Sequence, residues 1–456
     1  MVKRMNGVHV PHYKNTADCA PNRMPVPAQL VIPMAMHIGA KANPVVKPGD
    51  TVKVGQLIAE AGGFVSAPIY SGVSGTVKKI EDVLVASGQK VPAVIIESDG
   101  QQEVYEGVKP PEVTDLESFI NAVRDSGSVG LGGAGFPTSV KLKCDLDKID
   151  AVIVNGAECE PFITSDTRTM LDRADEVYDA LKLIEKYMLV KKIIIGIEDN
   201  KPECIENFRN LCKDDPAVTV QALPSSYPQG GEKVLIFNTI GRIVPEGKLP
   251  LDAGAIVLNC TTLATIGRYV KTGMPLVEKC VTVDGSAVAN PQNVIAPIGT
   301  PLKDIFEFTG GFKEDPYKVL YGGPMMGLAV PSLDSPLLKN TNAVLAFNQK
   351  DATPPEPTPC IKCGRCIAAC PLQLMPAEIQ IALNKGDVED LKALKVNLCM
   401  ECGCCTFVCP AKRPLGQNHK LGKAMVMKAK QEADAKAKAE AEKKAAAEAA
   451  AKEKEV

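Results

Sequence analysis

The sequence predicts a multidomain protein of the α/β class, and three observations lead to this prediction. The chain has 456 residues, and at about 150 residues per domain this length corresponds to about three domains. Strand patterns and helix patterns alternate between residues 115 and 259, which is the order that builds βαβ units around a mainly parallel sheet. Nine of the sixteen cysteines lie within residues 360–409, eight of them in two runs of identical spacing, so that stretch is expected to form a separate cysteine-rich domain.

The N-terminal segment, predicted as residues 1–112, contains a β domain. Between residues 44 and 97, short alternating strands are separated by glycine turns. The doubled pattern VKPGDTVKVGQLIAE and SAPIYSGVSGTVKKI resembles the barrel-sandwich fold of lipoyl and biotinyl carrier domains. Those carriers hold a modified lysine on the hairpin between their halves, but residues 61–66 here contain no lysine. We therefore expect a structural or docking domain rather than a swinging arm.

A central α/β domain is predicted at residues 113–259. Its predicted elements are three strands buried on both faces and two helices, at residues 151–154, 192–197, 218–220, 173–187 and 202–211. An open α/β sheet binds ligands at the carboxyl ends of its strands. The sequence therefore indicates a candidate site where these strands end.

The next predicted domain, residues 260–350, returns to strands. Residues 280–312 combine strands with a short helix at 301–309, and this pattern resembles a small β-grasp ligand-binding module. A proline-rich stretch at 353–359 is typical of a stiff linker into the cysteine-rich domain.

The tail, predicted as residues 421–456, is almost wholly Ala, Lys and Glu after Met427. This composition favours a helix but offers no apolar face to bury, so we expect a solvated helical tail. A second interpretation is that its lysines dock on an acidic partner or a lipid surface.

Two cysteine runs in the predicted domain 351–420 share the spacing C-x2-C-x2-C-x3-C-P. Bacterial ferredoxins hold two 4Fe–4S clusters with this spacing, and the fourth cysteine of each run ligates the cluster of the other run. Structural zinc sites use paired C-x2-C hooks, which fit these runs poorly. Cys404 adjoins one ligand but breaks the spacing, so it is expected to be a non-ligand. The predicted ligand sets are Cys360, Cys363, Cys366 and Cys409 for one cluster, and Cys399, Cys402, Cys405 and Cys370 for the other.

The composition excludes some classes of function and indicates a compartment. A formal net charge of −2 lacks the basic excess of nucleic-acid-binding proteins, so we expect no nucleic-acid partner. No apolar stretch approaches the roughly 20 residues that span a bilayer. Thiolate ligands and many unpaired cysteines indicate a reducing cytosol rather than a secreted disulfide framework. We expect a cytoplasmic protein that can dock on a membrane complex.

The glycine-rich segment GLGGAGFPT, residues 130–138, is the second candidate site. Four glycines in six residues let backbone amides crowd against a ligand, usually a phosphate or a flat ring. The predicted strand at 151–154 ends in NGAECEP, a polar and acidic loop at the carboxyl end of a strand. Taken alone, the glycine run is equally compatible with a simple tight turn.

Together these segments resemble the FMN- and NADH-binding core of the flavoprotein subunit of respiratory complex I. A later turn, YPQGGE at 227–232, matches the third motif of that core. Two departures stand out, because Leu131 replaces an arginine of the glycine loop and Ala157 replaces an aspartate. The flavoprotein of complex I also carries a single cluster, whereas this chain has ligands for two.

The resemblance implies a set of binding residues but no general acid or base, so no catalytic residue is predicted. Glycines of the loop should shape it against FMN and dinucleotide phosphates, and Lys141 should bind the FMN phosphate unless it is a solvated surface lysine. Asn155 should bond the flavin ring. The implied cofactor-binding residues are Gly130, Gly132, Gly133, Gly135, Phe136, Lys141, Asn155, Glu158, Glu160, Tyr227, Gly230 and Glu232.

The remaining members of that set have expected roles with simpler alternatives. Phe136 should stack on the nucleotide, although an aromatic ring beside a proline also serves plain packing. Glu158 and Glu160 should bond the nicotinamide ribose or carboxamide, or else form an exposed acidic loop. Tyr227 and Glu232 should close the pocket.

The whole layout, beginning with GVHVPHYK, closely resembles the C subunits of Rnf electron-transport complexes. This resemblance implies a peripheral, NAD(H)-reactive oxidoreductase subunit on the cytoplasmic face of the membrane, carrying FMN and two 4Fe–4S clusters. Its implied partners are the integral membrane and cluster-carrying subunits that couple electron transfer to ion transport, and ferredoxin indirectly. Two alternatives stay open: a soluble NADH-dependent reductase for a cobalamin or selenoprotein partner, and a cluster-only electron-relay adapter with an empty flavin pocket.

Overall fold

The computed structural model describes residues 5–452, with side chains described as far as residue 442. The described chain forms two compact units, one of residues 9–354 and one of residues 355–452 together with residues 5–8. The last four residues of the predicted tail lie outside the described range. Across the described part, no helix combines the length and the apolar character needed to cross a membrane.

The larger unit is built from seventeen strands and nine α-helices among its described residues, with two short 3-10 helices at Leu146–Lys148 and Pro250–Ala253. Its strands are β1 (Asn22–Arg23), β2 (Gln29–Pro33), β3 (Asn43–Pro44), β4 (Thr51–Val52), β5 (Leu57–Glu60), β6 (Ile69–Tyr70), β7 (Gly75–Leu84), β8 (Lys90–Ser98), β9 (Ala151–Gly156), β10 (Ile193–Glu198), β11 (Val218–Leu223), β12 (Ala255–Asn259), β13 (Glu278–Asp284), β14 (Gln292–Pro297), β15 (Lys318–Tyr321), β16 (Leu328–Ala329) and β17 (Ala343–Phe347). Its helices are α1 (Leu116–Asp125), α2 (Thr138–Leu142), α3 (Ser165–Asp172), α4 (Ala174–Met188), α5 (Pro202–Leu211), α6 (Glu232–Ile240), α7 (Cys260–Thr272), α8 (Leu302–Phe308) and α9 (Gln349–Ala352).

The α/β layer is a four-stranded parallel sheet in the order β11-β10-β9-β12. This confirms the predicted parallel sheet and its three strands, and α5 has the predicted bounds. Successive residues of β9 face opposite sides, so Val152 and Val154 pack in the core that contains α4 and α7, whereas Ile153 packs with α6. Burial on both faces explains the near-continuous apolar runs, because each buried Val or Ile side chain stabilises the fold by about 1.5–3 kcal/mol. This sheet brings the ends of β9 and β12 side by side.

The N-terminal β domain contains two sheets, ordered β2-β8-β7-β4 and β3-β5-β6. Their strand pairs are antiparallel, and Leu30, Ile58 and Val94 from different strands share one buried core. The hairpin at residues 61–66 joins β5 to β6 and leaves the side chain of Phe64 exposed. The buried core of these sheets shares no residue with the core of the α/β layer that contains α4 and α7.

A six-stranded mixed sheet follows, in the order β1-β14-β13-β17-β15-β16. Helix α8 covers it with Ile305 and Phe306, which pack against buried strand residues such as Val283 and Val344. Strand β1 comes from the N-terminal part of the chain and pairs in parallel with β14. The sheet therefore ties residues near the start of the chain to the region around residue 294.

The smaller unit is helical. Its helices are α10 (Arg365–Ala369), α11 (Pro376–Lys385), α12 (Val388–Ala393), α13 (Cys404–Phe407) and α14 (Leu415–Lys452). Ile379, Leu391 and Val396 pack against Val426 of α14, so the first turns of this long helix belong to the core. The side chains of residues 430–442 are exposed, which confirms a solvated helix over that stretch, whereas Gly422 and Val426 of the predicted tail are buried.

Candidate functional site

The carboxyl ends of β9 and β12 carry two asparagines, Asn155 and Asn259, which are register partners in the sheet. The side-chain amide of Asn155 donates to the carbonyl oxygen of Gly230 at 2.9 Å, and its Oδ1 accepts from the N–H of Ala157 at 3.1 Å. A Cβ at Gly230 would lie 2.3 Å from the carbonyl oxygen of Ala157, so only glycine fits there. Two of the predicted segments, the acidic loop (residues 155–160) and the closing turn (residues 227–232), therefore meet at this edge.

The glycine turn, residues 130–136, lies against the start of α7. It is closed by the N–H of Gly130, which donates to the carbonyl of Phe136 at 2.9 Å, and it is anchored where the N–H of Leu131 donates to Thr262 Oγ1 at 3.0 Å. A Cβ at Gly132 would lie 2.4 Å from Nδ2 of Asn259, whereas one at Gly133 would meet open space. The turn thus presents exposed backbone directly above the sheet edge.

Lys141, on the helix that follows the glycine turn, lies beside the closing turn. Its Nζ is 2.8 Å from Oε1 of Glu232 and donates to the carbonyl oxygen of Val257 at 3.0 Å. Both charged side chains are partly exposed. The structure therefore brings together Lys141 and Glu232, and an anionic ligand at Lys141 would compete with that carboxylate.

Glu158 is buried and its two carboxylate oxygens already have protein partners. They accept from the N–H of Asp166 at 2.7 Å, from the N–H of Thr167 at 3.2 Å and from Thr167 Oγ1 at 2.6 Å, which caps the start of α3. Burial raises the pKa of Glu158 to about 7, with the Lys14 charge opposing the rise. Glu158 is therefore not part of an exposed acidic loop but anchors that loop to a helix.

Glu160 connects the acidic loop to the mixed-sheet region. Its carboxylate accepts from the N–H groups of Met325 at 3.1 Å and Met326 at 2.8 Å, and the hydroxyl of buried Tyr227 lies 3.5 Å away. Burial raises the pKa of Glu160 to about 7, although these donors act to lower it. The expected nicotinamide contacts of Glu158 and Glu160 stay predictions.

Lys14 is a site residue that the sequence reasoning missed. Its Nζ donates to three backbone carbonyls of the acidic loop and its continuation, those of Glu158 at 2.7 Å, Glu160 at 2.9 Å and Ile163 at 2.6 Å. A second ammonium, that of buried Lys201, is paired with Glu198 at 2.8 Å. Lys14 is the last residue of the opening segment GVHVPHYK, which was noted in the sequence. Its role was not predictable, because its partners are main-chain carbonyl oxygens, which every residue type has.

The site has features that suit a cofactor rich in acceptors. In the closing turn, the side-chain amide nitrogen of Gln229 is buried and has no hydrogen-bond partner within the described chain. Gly135 has φ +74°, a conformation that favours glycine, and it directs the glycine turn back toward Phe136, which is partly buried. A bound flavin nucleotide offers both phosphate and ring acceptors, so these residues fit it.

In the smaller unit, cysteines of both runs line one cavity. Cys370 of the first run lies there with Cys399, Cys402 and Cys405 of the second, and Cys404, which was predicted as a non-ligand, is also in the wall. We call this the cysteine cavity. Burial raises the pKa of Cys399 to about 11 and that of Cys405 to about 12. These thiols need a metal to become thiolates near neutral pH, because coordination deprotonates a thiol outright.

The other four predicted ligands lie nearer the surface. Cys360 and Cys363 are exposed, and Cys366 and Cys409 are partly buried. The pKa of Cys366 is raised, by burial first and also by its neighbour Cys409, so the two runs meet here as well. Among the described residues, no three ligand side chains are arranged to hold a single metal ion. Cysteine thiols distributed around a cavity suit an iron–sulfur cluster, in which each thiolate binds a different iron atom.

Comparisons with known proteins agree with this architecture. The chain is 42% identical over 391 residues to the C subunit of the proton-translocating ferredoxin:NAD(+) oxidoreductase complex of Clostridium ljungdahlii, covering 85% of this chain and 85% of that protein. It is 42% identical over 378 residues to the C subunit of the Na(+)-translocating ferredoxin:NAD(+) oxidoreductase complex of Acetobacterium woodii, covering 82% of this chain and 85% of that protein. This chain belongs to the RnfC family, the C subunits of ion-translocating oxidoreductase complexes.

Family models map this RnfC-family chain onto the observed parts. The RnfC barrel sandwich hybrid domain matches residues 3–101, the Nuo51 FMN-binding domain matches residues 123–268, and the SLBB domain matches residues 280–329. The resemblances to a barrel-sandwich fold and to a complex I flavin core are thereby confirmed. The FMN-binding match contains the glycine turn, the acidic loop, the closing turn and Asn259.

A more distant RnfC-family relative, at 38% identity over 402 residues, is the C subunit of the ion-translocating oxidoreductase complex of Rhodobacter capsulatus, with 86% of this chain and 76% of that protein covered. Among solved structures, a chain of an NAD+-reducing NiFe-hydrogenase in the H2-reduced state is similar, with a TM-score of 0.48 and 19% identity. The match covers 68% of this chain and 63% of that chain.

Proposed function

We propose that this chain is the NAD(H)-reactive subunit of a membrane-bound ferredoxin:NAD oxidoreductase of the Rnf type. It exchanges hydride with NAD(H) at a bound FMN and relays single electrons through two 4Fe–4S clusters. Partner subunits in the membrane couple this transfer to ion transport, and the chain docks on them from the cytoplasmic side. Support comes from its relatives, which are named as parts of ferredoxin:NAD(+) oxidoreductase complexes.

One observation carries the proposal: three segments that are far apart in the chain converge at the carboxyl end of β9. The glycine turn lies over Asn259, the acidic loop follows β9, and the closing turn is bonded to Asn155. Bound there, FMN would supply the exchange between two-electron hydride chemistry and one-electron transfer. The chain's own residues would orient it, with turn amides and Lys141 toward phosphate and the amides of Asn155 and Gln229 toward the ring.

Glu158 and Glu160 have a supporting role in this scheme. Their carboxylates are held by α3 and by the N–H groups of Met325 and Met326, so they fix the acidic loop in one position. Lys14 holds the same loop from its carbonyl side. A site fixed in this way positions a nicotinamide against the flavin without reorganisation, which is the contribution that a protein makes to hydride transfer.

The cysteine cavity supports the first of two clusters. We propose crossed ligation, with Cys370 completing the set of Cys399, Cys402 and Cys405, since these four thiols line one space. The second cluster would take Cys360, Cys363, Cys366 and Cys409. We propose a ferredoxin-like fold for this unit and a β-grasp fold for the module that matches the SLBB domain.

The test is anaerobic purification of the full chain, assays for flavin and iron, and titration with NADH followed by EPR. We expect bound or reconstitutable FMN, about eight irons per chain from two 4Fe–4S clusters with four cysteine ligands each, and cluster signals that grow as NADH is added. Cys404→Ser is the matched control, since Cys404 lies outside the ligand spacing and should leave the iron content unchanged. A chain that holds clusters but neither binds FMN nor responds to NADH would be an electron-relay adapter, and the proposal would be wrong.

A further inference from the structure

A histidine lies in the wall of the cysteine cavity. His419 is in the second turn of α14, with only 1% of its surface exposed, and its Nδ1 is 3.2 Å from Sγ of Cys399. Neither the cysteine spacing nor the flavin motifs involve this residue. A hydrogen bond to a ligating sulfur is one of the main determinants of an iron–sulfur reduction potential.

The chemistry of the two partners decides which of them donates. A thiolate that ligates iron has no proton, so its sulfur can only accept. Nδ1 of His419 must therefore carry the hydrogen when a cluster is bound. Nε2 lies 3.5 Å from the carbonyl oxygen of Pro376, well beyond the usual N–H···O distance of about 2.9 Å. This contact is therefore too weak to draw the ring hydrogen from Nδ1 to Nε2.

The ring is held in place by the helix that carries it. Lys423, one turn further along α14, donates from Nζ to the carbonyl oxygen of Cys399 at 3.1 Å and is paired with Glu401. Residues four apart lie on the same face of a helix. Thus one face of α14 contacts both the side chain and the main chain of Cys399, and buried Val426 anchors that face in the core.

We propose that His419 is a positioning residue that raises the reduction potential of the cluster in the cysteine cavity by donating a hydrogen bond to Cys399. This rests on the proposed function, because it requires a cluster in that cavity. Reduction adds a negative charge to the cluster, so a donor aimed at its sulfur stabilises the reduced state more than the oxidised state. His419 is the only histidine after residue 37 of the sequence, so the smaller unit has no second histidine for the ligand set of Cys360, Cys363, Cys366 and Cys409.

The experiment is an EPR-monitored redox titration of the full chain, comparing wild type with His419→Leu and His419→Asn. Leucine fills the buried position with a branched apolar side chain that cannot donate a hydrogen bond. In asparagine, Nδ2 can take nearly the same position as Nδ1 of histidine and can donate. We expect His419→Leu to lower the equilibrium constant for reduction of one cluster about tenfold, which for one electron is about 59 mV. His419→Asn should restore most of the difference, and the potential of the second cluster should stay at its wild-type value.

Several results would overturn this inference. An unchanged potential in His419→Leu, equal shifts of both clusters, or no recovery in His419→Asn would each exclude a hydrogen bond that tunes one cluster. His419→Met provides a second variant without a donor, and loss of one cluster from both apolar variants would assign His419 a purely structural role. Absence of iron from the wild-type chain would instead overturn the cluster assignment itself, and this inference with it.

Discussion

Replacing Gly230 by alanine tests directly whether the acidic loop and the closing turn form the flavin site. The added Cβ would lie 2.3 Å from the carbonyl oxygen of Ala157, while real Cβ atoms essentially never come within 3.0 Å of such an atom. The two segments must therefore separate by at least about 0.7 Å, since neither backbone can be displaced cheaply. That movement also strains the bond from Asn155 Nδ2 to the carbonyl oxygen of Gly230, which is 2.9 Å long.

The size of the effect follows from these contacts. Overpacking costs about 1–3 kcal/mol and a lost neutral hydrogen bond costs about 1 kcal/mol. Part of this cost appears as weaker binding of a ligand that needs both loops in place, and we expect FMN to bind roughly 100-fold more weakly to Gly230→Ala. The assay is quenching of FMN fluorescence on titration with flavin-free chain.

The matched control is Gly63→Ala, the same chemical change in the hairpin of the N-terminal β domain. A Cβ at Gly63 would lie 3.3 Å from the Cβ of Ala40, a contact that a small shift relieves. FMN affinity should stay within about threefold of wild type in this variant. Iron content should be unchanged in both variants, because the cysteine runs lie in the other unit. Wild-type FMN affinity in Gly230→Ala, with the chain folded, would refute the assignment of this edge as the flavin site.

The remaining predictions concern charge, pH and ligation. Lys141→Met should raise the Kd for FMN about tenfold, because it removes one charge-assisted hydrogen bond to phosphate. Glu158→Gln should flatten the pH dependence of stability. Burial raises the pKa of Glu158 from 4.5 to about 7, so between these pH values the folded state binds more protons than the unfolded state. The free energy of unfolding of the wild type therefore falls by about 3 kcal/mol as the pH rises through this range. Cys409→Ser should damage the cluster of the first run, and Cys370→Ser the cluster in the cysteine cavity.

Each of these predictions has a measurement that can contradict it. Riboflavin, which lacks the phosphate, should bind Lys141→Met and wild type equally, and an equal loss for both ligands would exclude a phosphate contact. Urea unfolding followed by circular dichroism at pH 5 and pH 8 measures the Glu158 effect, and an unchanged difference between the two pH values in Glu158→Gln would contradict the buried carboxyl. If Cys409→Ser removed only the EPR signal of the cysteine cavity, crossed ligation would be wrong.

Much of the α/β layer could be predicted because its strands and helices are specified by sequence patterns within each element. Strand β10 is buried along its whole length, so its apolar run is visible without any knowledge of its neighbours. Helix α5 begins at Pro202, a residue favoured at the first helical position, and its bounds were predicted correctly. Strand β1 could not be predicted, because Asn22–Arg23 has no apolar pattern and its partner β14 lies far along the chain.

The candidate site also contains residues that could be predicted from the sequence and residues that could not. Its glycines and Asn155 could be predicted, because they lie in short motifs whose spacing is visible in the sequence. Lys14 and His419 are not visible in that way, because one binds main-chain carbonyls of a distant loop and the other reaches its cysteine from a helix that begins after the cysteine run. Residues that support a site from another element carry no motif, so only the fold can reveal them.

The two cysteine runs show how equal spacing can give unequal sites. Their backbones repeat closely: Lys362 and Glu401 both have positive φ, of 53° and 61°, and each is followed two residues later by a glycine with φ of 76° or 77°. Their surroundings differ, since Cys360 and Cys363 are exposed whereas Cys370, Cys402 and Cys405 are buried, and Cys399 of the same ligand set is contacted by His419. Burial and hydrogen bonds to sulfur set the potential of a cluster over hundreds of millivolts, so two clusters in these sites would differ in potential despite identical ligand spacing. A difference of that kind gives electrons a preferred direction between the two clusters.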